Sequence, residues 1–224
     1  MKPSENYKNL LEDIEKIKSS YGIKYEIEIV VVSKYASIEE VESLLNDCKV
    51  KHLGENRVQE AEKKFSYLES KGLLKNISKH MLGPVQSNKI SKVAKLFDFV
   101  HSIENLEVPE GLIKRGYLGE LLIEVKTSHE ATKHGIEVEK TLEFFGLLKE
   151  KGINISGLMT MAPFTSDVNA ISRCFSTLRR LKEEIENNYK TTLKYLSMGM
   201  SNDYHIAIKE GSNLLRIGSS IFRK

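Results

Sequence analysis

Lys34 ends an apolar run, IEIVVVSK (Ile27 to Lys34), and the polar segment YASIEE follows it. A lysine at the C-terminal end of a strand buried on both faces puts an amine where α/β proteins place their chemistry. Desolvation there favours the neutral amine, the form that condenses with a carbonyl to give a Schiff base. The plainer alternative is a lysine that marks the strand's exit into solvent. A second chemically able group lies near the C-terminus. LSMGMSND offers Gly199 for a tight turn and Ser201 as a hydroxyl, and RIGSSIF offers Gly218, Ser219 and Ser220. Such small residues let backbone N–H groups approach an anion, and loops at this stage of a barrel are a recurrent phosphate site. Ser201, or Asn202 beside it, also suits the N-cap of a following helix, a role compatible with phosphate binding. Arg216 stands two residues before Gly218; an interior arginine there must face a ligand or a carboxylate. Amine, anion cradle and buried arginine together describe a pocket for pyridoxal 5'-phosphate: lysine for the aldehyde, loops for the phosphate, arginine for the ring nitrogen.

Positioning these residues requires strands that end at one face. Short apolar runs alternate with helical patterns along the chain, the signature of βα units around a parallel sheet. Strands are predicted at 26–33, 51–53, 80–83, 97–101, 120–126, 155–159, 193–197 and 213–217. Helices are predicted at 38–47, 55–70, 87–96, 138–151, 167–187 and 203–210, with Pro109 and Gly111 arguing against a full helix between strands four and five. The N-terminal segment reads as an extra amphipathic helix with Tyr7, Leu10, Leu11, Ile14 and Ile17 on one face and Ser4 as N-cap. Eight strands with helices between them predict an α/β fold, a single-domain (β/α)8 TIM barrel over residues 1–224. An open doubly wound sheet is the runner-up, but SKYAS after strand one carries no glycine fingerprint.

Composition narrows the classes. With 34 basic and 31 acidic residues the net charge is +3, which argues for neither nucleic acid nor membrane partners. Cys48 and Cys174 form no CxxC pattern and are expected to stay reduced, and the six histidines lack metal-ligand spacing, so no metal is expected. The N-terminus lacks an apolar signal region and carries acidic residues, so the cytoplasm is the expected location.

Other polar residues gather at strand ends. Glu55 and Asn56 follow strand two, where helix capping is as natural as ligand binding. His80 and His101 read first as satisfied core or rim histidines, and Gln86 and Asn88 as helix openers. Lys89 is either a solvated charge or a secondary cofactor or transfer site.

The chain resembles the pyridoxal phosphate homeostasis proteins nearly end to end. The segments that carry the resemblance are VVSKYAS, LGENRVQE, HMLGPVQSNK, VHSIEN, SHEATKHG (Ser128 to Gly135), GLMTMAP and LSMGMSNDYHIAIKEGSNLLRIGSSIF. The resemblance implies a barrel like the N-terminal domain of alanine racemase, with pyridoxal 5'-phosphate on Lys34. It implies Ser201, Gly218 and Ser219 at the phosphate, Arg216 near the pyridine nitrogen, and Asn56, His80 and Met200 lining the pocket. Two departures stand out: Tyr35 where the family more often has threonine, and a shortened segment between strands four and five. Neither is expected to touch the ligand.

Carrier is favoured over catalyst. An arginine opposite the ring nitrogen disfavours its protonation and so weakens the ring as an electron sink. Racemisation needs acid/base groups on both faces of the substrate, and the racemase-type tyrosine four residues past the lysine is replaced by Ile38. The sequence runs to Lys224, just beyond the last strand motif, so the racemase C-terminal domain is expected to be absent. The expectation is a monomeric binding protein with no catalytic residues. It would buffer pyridoxal 5'-phosphate or deliver it to apo-enzymes, and so affect amino-acid and keto-acid balance. The alternative is a true enzyme, a racemase or lyase.

Overall fold

The computed structural model describes residues 2–128 and 134–222. Most of SHEATKHG, residues 129–133, lies outside them. The barrel strands are β1 (Glu28–Val32), β2 (His52–Glu55), β3 (Ser78–Met81), β4 (Phe99–Ile103), β5 (Glu120–Lys126), β7 (Gly157–Met159), β8 (Tyr195–Ser197) and β9 (Leu214–Ile217). All are paired in parallel, β1 closing on β9 and β4 on β5, which gives a closed eight-stranded barrel. A two-residue strand not foreseen in the sequence, β6 (Ile136–Glu137), adds to the end of β5.

The helices are α1 (Pro3–Ser20), α2 (Ile38–Asp47), α3 (Val58–Ser70), α4 (Ile90–Leu96), α5 (Glu107–Ile113), α6 (Val138–Glu150), α7 (Val168–Tyr189), α8 (Tyr204–Lys209) and α9 (Ser219–Phe222). The connection between β4 and β5 therefore does hold a helix, α5. Pro109 falls in its first turn, where the missing N–H costs nothing. Pro3 likewise starts α1 one residue ahead of Ser4, so Lys2 is the N-cap and Ser4 is buried in the first turn. Tyr7, Leu10 and Ile14 are buried as expected, Ile17 is partly buried against the core, but Leu11 is 41% exposed.

Strand alternation sorts the core into two layers. Ile29 and Val31 of β1 join the large cluster between barrel and helices, together with Phe65 of α3 and Phe175 of α7. Val30 instead joins Phe99, Leu122, Met159, Tyr195 and Leu214 inside the barrel. Each such fully buried side chain contributes about 1.5–3 kcal/mol. Strand tilt makes the register climb around the barrel. Arg216, Val30, His52 and Ser78 are successive register partners across β9, β1, β2 and β3. Along this line Arg216 reaches the cavity at the C-terminal mouth, while His52 and Ser78 line a cleft at the opposite mouth. Cys48 and Cys174 are not joined in a disulfide. Among the described residues, no helix is long and apolar enough to cross a membrane.

Candidate functional site

A cavity of about 400 Å³ opens at the C-terminal ends of the strands, within the range of small-molecule pockets. Lys34, Asn56, Met200, Ser201, Arg216, Gly218 and Ser219 all line it. Lys34 sits in the turn after β1 with its Nζ 5.1 Å from the centroid of the Tyr35 ring. Tyr35 also lines the cavity, so this departure from the family pattern does touch the site. A buried cluster on the helix side fixes the backbone beneath Lys34. Lys64 Nζ donates to the Ser33 carbonyl at 2.5 Å and to Glu55 Oε1 at 2.6 Å, and Ser33 Oγ donates to the same Glu55 oxygen at 2.6 Å. Glu55 is therefore a strand residue holding an ion pair. Neither it nor Asn56 caps α3, whose N-cap is Arg57.

The far wall is built by the loops after β8 and β9. Gly199 at φ +97° makes the turn out of β8, and a Cβ there would meet that of Ala207 at 2.6 Å. Gly218 packs so closely on β1 that a Cβ would stand 2.8 Å from the Val32 carbonyl oxygen. Ser201 does not cap α8, whose N-cap is Asp203. Its Oγ accepts from the Ser220 N–H at 3.1 Å, tying one loop to the other. Gly218 and Ser219 enter α9, where first-turn N–H groups lack acceptors within the helix.

Arg216 is only 6% exposed. It donates to Ser197 Oγ at 2.7 Å and to the Thr160 carbonyl at 2.8 Å, both uncharged oxygens. Burial pulls its pKa down to about 10, against the opposing fields of Asp203 and Glu124. Glu124 lies inside the barrel on β5 and is pushed up to about 7 by burial first and the charge of Glu104 second.

His80 is not on the cavity wall. It is fully buried in the barrel interior, stacked on Phe99 at 4.1 Å between ring centroids, with its Nδ1 2.8 Å from His101 Nε2. Burial holds both imidazoles well below the ordinary histidine range, hence neutral. Gln86 and Asn88 are exposed in the approach to α4, and Lys89 also stands away from the cavity. Among the described residues, no group of three or more His, Cys, Asp and Glu side chains is placed to hold a metal ion.

Two contributors escaped the sequence reading. Asp203, a buried carboxylate at the cavity, accepts the Met200 N–H at 2.5 Å; its signal was the SND that follows Met200. Ser197, the second, holds Arg216 together with Thr160, and only its place at a strand end could have marked it.

The family model for the alanine racemase N-terminal domain matches residues 6–223. A pyridoxal phosphate homeostasis protein of Helicobacter pylori is 35% identical over 222 residues, 96% of each chain. Its namesake in Aquifex aeolicus is 32% identical over 228 residues, 99% of this chain and 98% of its own. The chain belongs to the pyridoxal phosphate homeostasis protein family. Among solved structures, PipY of Synechococcus elongatus PCC7942 with PLP bound is similar with a TM-score of 0.84 at 27% identity, over 99% of this chain and all of PipY (100%). An alanine racemase of Clostridium difficile 630 is similar with a TM-score of 0.70 at 17% identity, and this chain covers 56% of it. That likeness is one of fold. This chain shares the racemase barrel and spans a little over half of that racemase.

Proposed function

We propose that the chain, as one binding unit over residues 1–224, holds pyridoxal 5'-phosphate as a Schiff base on Lys34 and serves intracellular homeostasis of that cofactor. The observation that carries this reading is the convergence on one cavity of Lys34, the Ser201–Gly218–Ser219 wall and a buried Arg216 held by Ser197 and the Thr160 carbonyl. Bound there, the cofactor supplies an aldehyde that condenses with an amine and releases water. The chain's own residues do the rest. Ser201, Gly218 and Ser219 receive the phosphate, and Arg216 points N–H donors at the ring nitrogen, which keeps that nitrogen unprotonated. Asn56 and Met200 border the ring. His80 acts on the site only from behind, through His101 and Ser197.

A donor at the ring nitrogen suits storage and delivery better than carbanion chemistry. The chain therefore acts in the cytoplasm as a monomeric carrier, passing the cofactor to apo-enzymes and so affecting amino-acid and keto-acid balance, without catalytic residues. The PLP-bound PipY and the homeostasis proteins of H. pylori and A. aeolicus support this reading. The deciding experiment is an absorbance titration with pyridoxal 5'-phosphate, followed by borohydride reduction and peptide mapping. A visible band and a pyridoxyl adduct confined to Lys34, both lost in Lys34→Ala, are expected. An adduct spread over surface lysines would sink the reading. Sustained turnover of an amino acid that Lys34→Ala abolishes would replace the carrier by an enzyme.

A further inference from the structure

A row of polar side chains runs through the barrel interior, from the cavity to the opposite mouth. Arg216 donates to Ser197 Oγ at 2.7 Å, and that oxygen lies 3.1 Å from His101 Nδ1. His101 Nε2 lies 2.8 Å from His80 Nδ1, and His80 Nε2 lies 2.9 Å from His52 Nδ1. His52 Nε2 ends 3.6 Å from Glu28 Oε1, an electrostatic contact just outside hydrogen-bond range. Glu28 is the first residue of β1, and His52 lines the cleft at the N-terminal mouth.

The direction of this row follows from its ends. A guanidinium has N–H donors and no acceptor, so Ser197 Oγ must accept from Arg216. The buried Ser197 hydroxyl then has His101 Nδ1 within reach for its own proton, and leaving that proton unbonded would be costly. A bare Nδ1 puts the proton of neutral His101 on Nε2, which donates to His80. The same logic repeats at His80 and at His52, whose Nε2–H then faces the Glu28 carboxylate. Neutral His101 and His80 therefore carry their protons on Nε2, and the bonds along the row point the same way. The ends agree with this polarity: a cation stands at one and a carboxylate at the other. His52 holds Glu28 below the usual carboxylate range, with Lys194 and Lys51 also facing it. Phe99, stacked on His80, and Tyr195 at 5.3 Å from Phe99 keep the row in place.

We infer that Arg216, Ser197, His101, His80 and His52 form one polarised hydrogen-bond relay whose last ring faces the Glu28 carboxylate electrostatically, and that Glu28 and His52, at the opposite mouth, are positioning residues for the cofactor pocket. The relay commits Ser197 to accept from Arg216, which fixes the rotation of the guanidinium and the donors it presents to the ring nitrogen. Aligned bonds polarise one another, so the charge at Glu28 strengthens the contact at Arg216. This deepens the proposed cofactor reading and rests on it only for what Arg216 meets.

The relay itself is testable without cofactor. In protein carrying ¹⁵N-labelled histidine, the ring nitrogens of His80 and His101 should both report the neutral Nε2–H form between pH 6 and 8. In Glu28→Gln, where an amide can either accept or donate, a second population protonated on Nδ1 should appear along the row. In Ser197→Ala, the His101 signals should shift. With cofactor, Glu28→Gln should weaken binding about fivefold and move the pH midpoint of the visible band, while the reduced adduct stays on Lys34. Nδ1–H or cationic imidazoles in the wild type overturn the relay, as do His101 signals that neither variant moves. A wild type with the expected ring signals but no Lys34 adduct would retire the cofactor reading and leave the relay standing.

Discussion

Glu124 and Arg216 share the barrel interior beneath the cavity, and their electrostatics give the site a measurable pH signature. Burial, with the charge of Glu104 second, raises the Glu124 carboxyl to about 7 from an ordinary 4.5. The folded chain therefore keeps a proton that the unfolded chain releases near its ordinary value. The contribution of Glu124 is most favourable at acid pH and is lost as pH rises toward and through about 7. Glu124→Gln mimics the protonated form at every pH. In cofactor-free protein, urea unfolding should give equal stabilities near pH 4.5 and a gap favouring the variant on the order of 3 kcal/mol by pH 8. A gap that does not change with pH would show that Glu124 is ionised throughout. The sequence placed Arg216 correctly inside a strand because arginine between Leu215 and Ile217 has no solvent to reach. It did not reveal Asp203 as a cavity residue. A lone Asp after Ser-Asn reads as turn chemistry, and only the tertiary fold turns that carboxylate toward Met200 and the cavity.

At the scale of elements, the ends of β1 and β2 are held by the buried Lys64–Glu55–Ser33 cluster, which sets where Lys34 and Asn56 emerge. Replacing Lys64 by Met removes one charge of a pair in which Glu55 is fully buried and Lys64 nearly so. The loss should be about 3–5 kcal/mol by denaturant unfolding, because an uncompensated buried carboxylate remains. Adding Glu55→Gln should recover part of it, and simple additivity of the two changes would refute the coupling. This cluster was illegible in the sequence for a specific reason. LGEN reads as a loop opening a helix, so Glu55 looked like a cap, whereas parallel pairing with Met81 of β3 carries the strand through Glu55. Strand periodicity itself was legible. All eight barrel strands fall on the predicted apolar runs, with ends displaced by at most two residues. The polar row through the lumen was hidden by the same periodicity. His52, His80, His101 and Ser197 come from four strands, and no local pattern links residues that meet only when the barrel closes.

At the scale of the whole molecule, α1 joins the first residues of the chain to the loops after β8 and β9 that wall the cavity. Its buried face carries Tyr7, Leu10 and Ile14, and two polar contacts give it direction. Asn6 Nδ2 donates to the Ile221 carbonyl of α9 at 2.9 Å, and Tyr204 Oη of α8 donates to Asp13 Oδ2 at 2.6 Å. Burial, followed by that bond to Asp13, pushes the Tyr204 hydroxyl up to about 12, so it remains a donor throughout the working range. α8 and α9 are the helices that follow Ser201 and Gly218, and α9 is a single turn that cannot hold its shape alone. Its first turn closes through the Ile221 and Phe222 N–H groups on the Gly218 carbonyl, each at 3.0 Å. The N-terminal helix therefore clamps the turn that presents Gly218 and Ser219 to the cavity. Each polar contact is worth about 1 kcal/mol, so Asn6→Ala with Asp13→Ala should speed amide exchange at Ile221 and Phe222 by about tenfold or more. Exchange in the barrel strands should stay unchanged. Affinity for pyridoxal 5'-phosphate should fall in step, because the anion wall must be ordered on binding, whereas the reduced adduct should remain on Lys34. If exchange at α9 accelerates without loss of affinity, the phosphate is held by the Ser201 loop alone, and the clamp serves only the stability of the C-terminus.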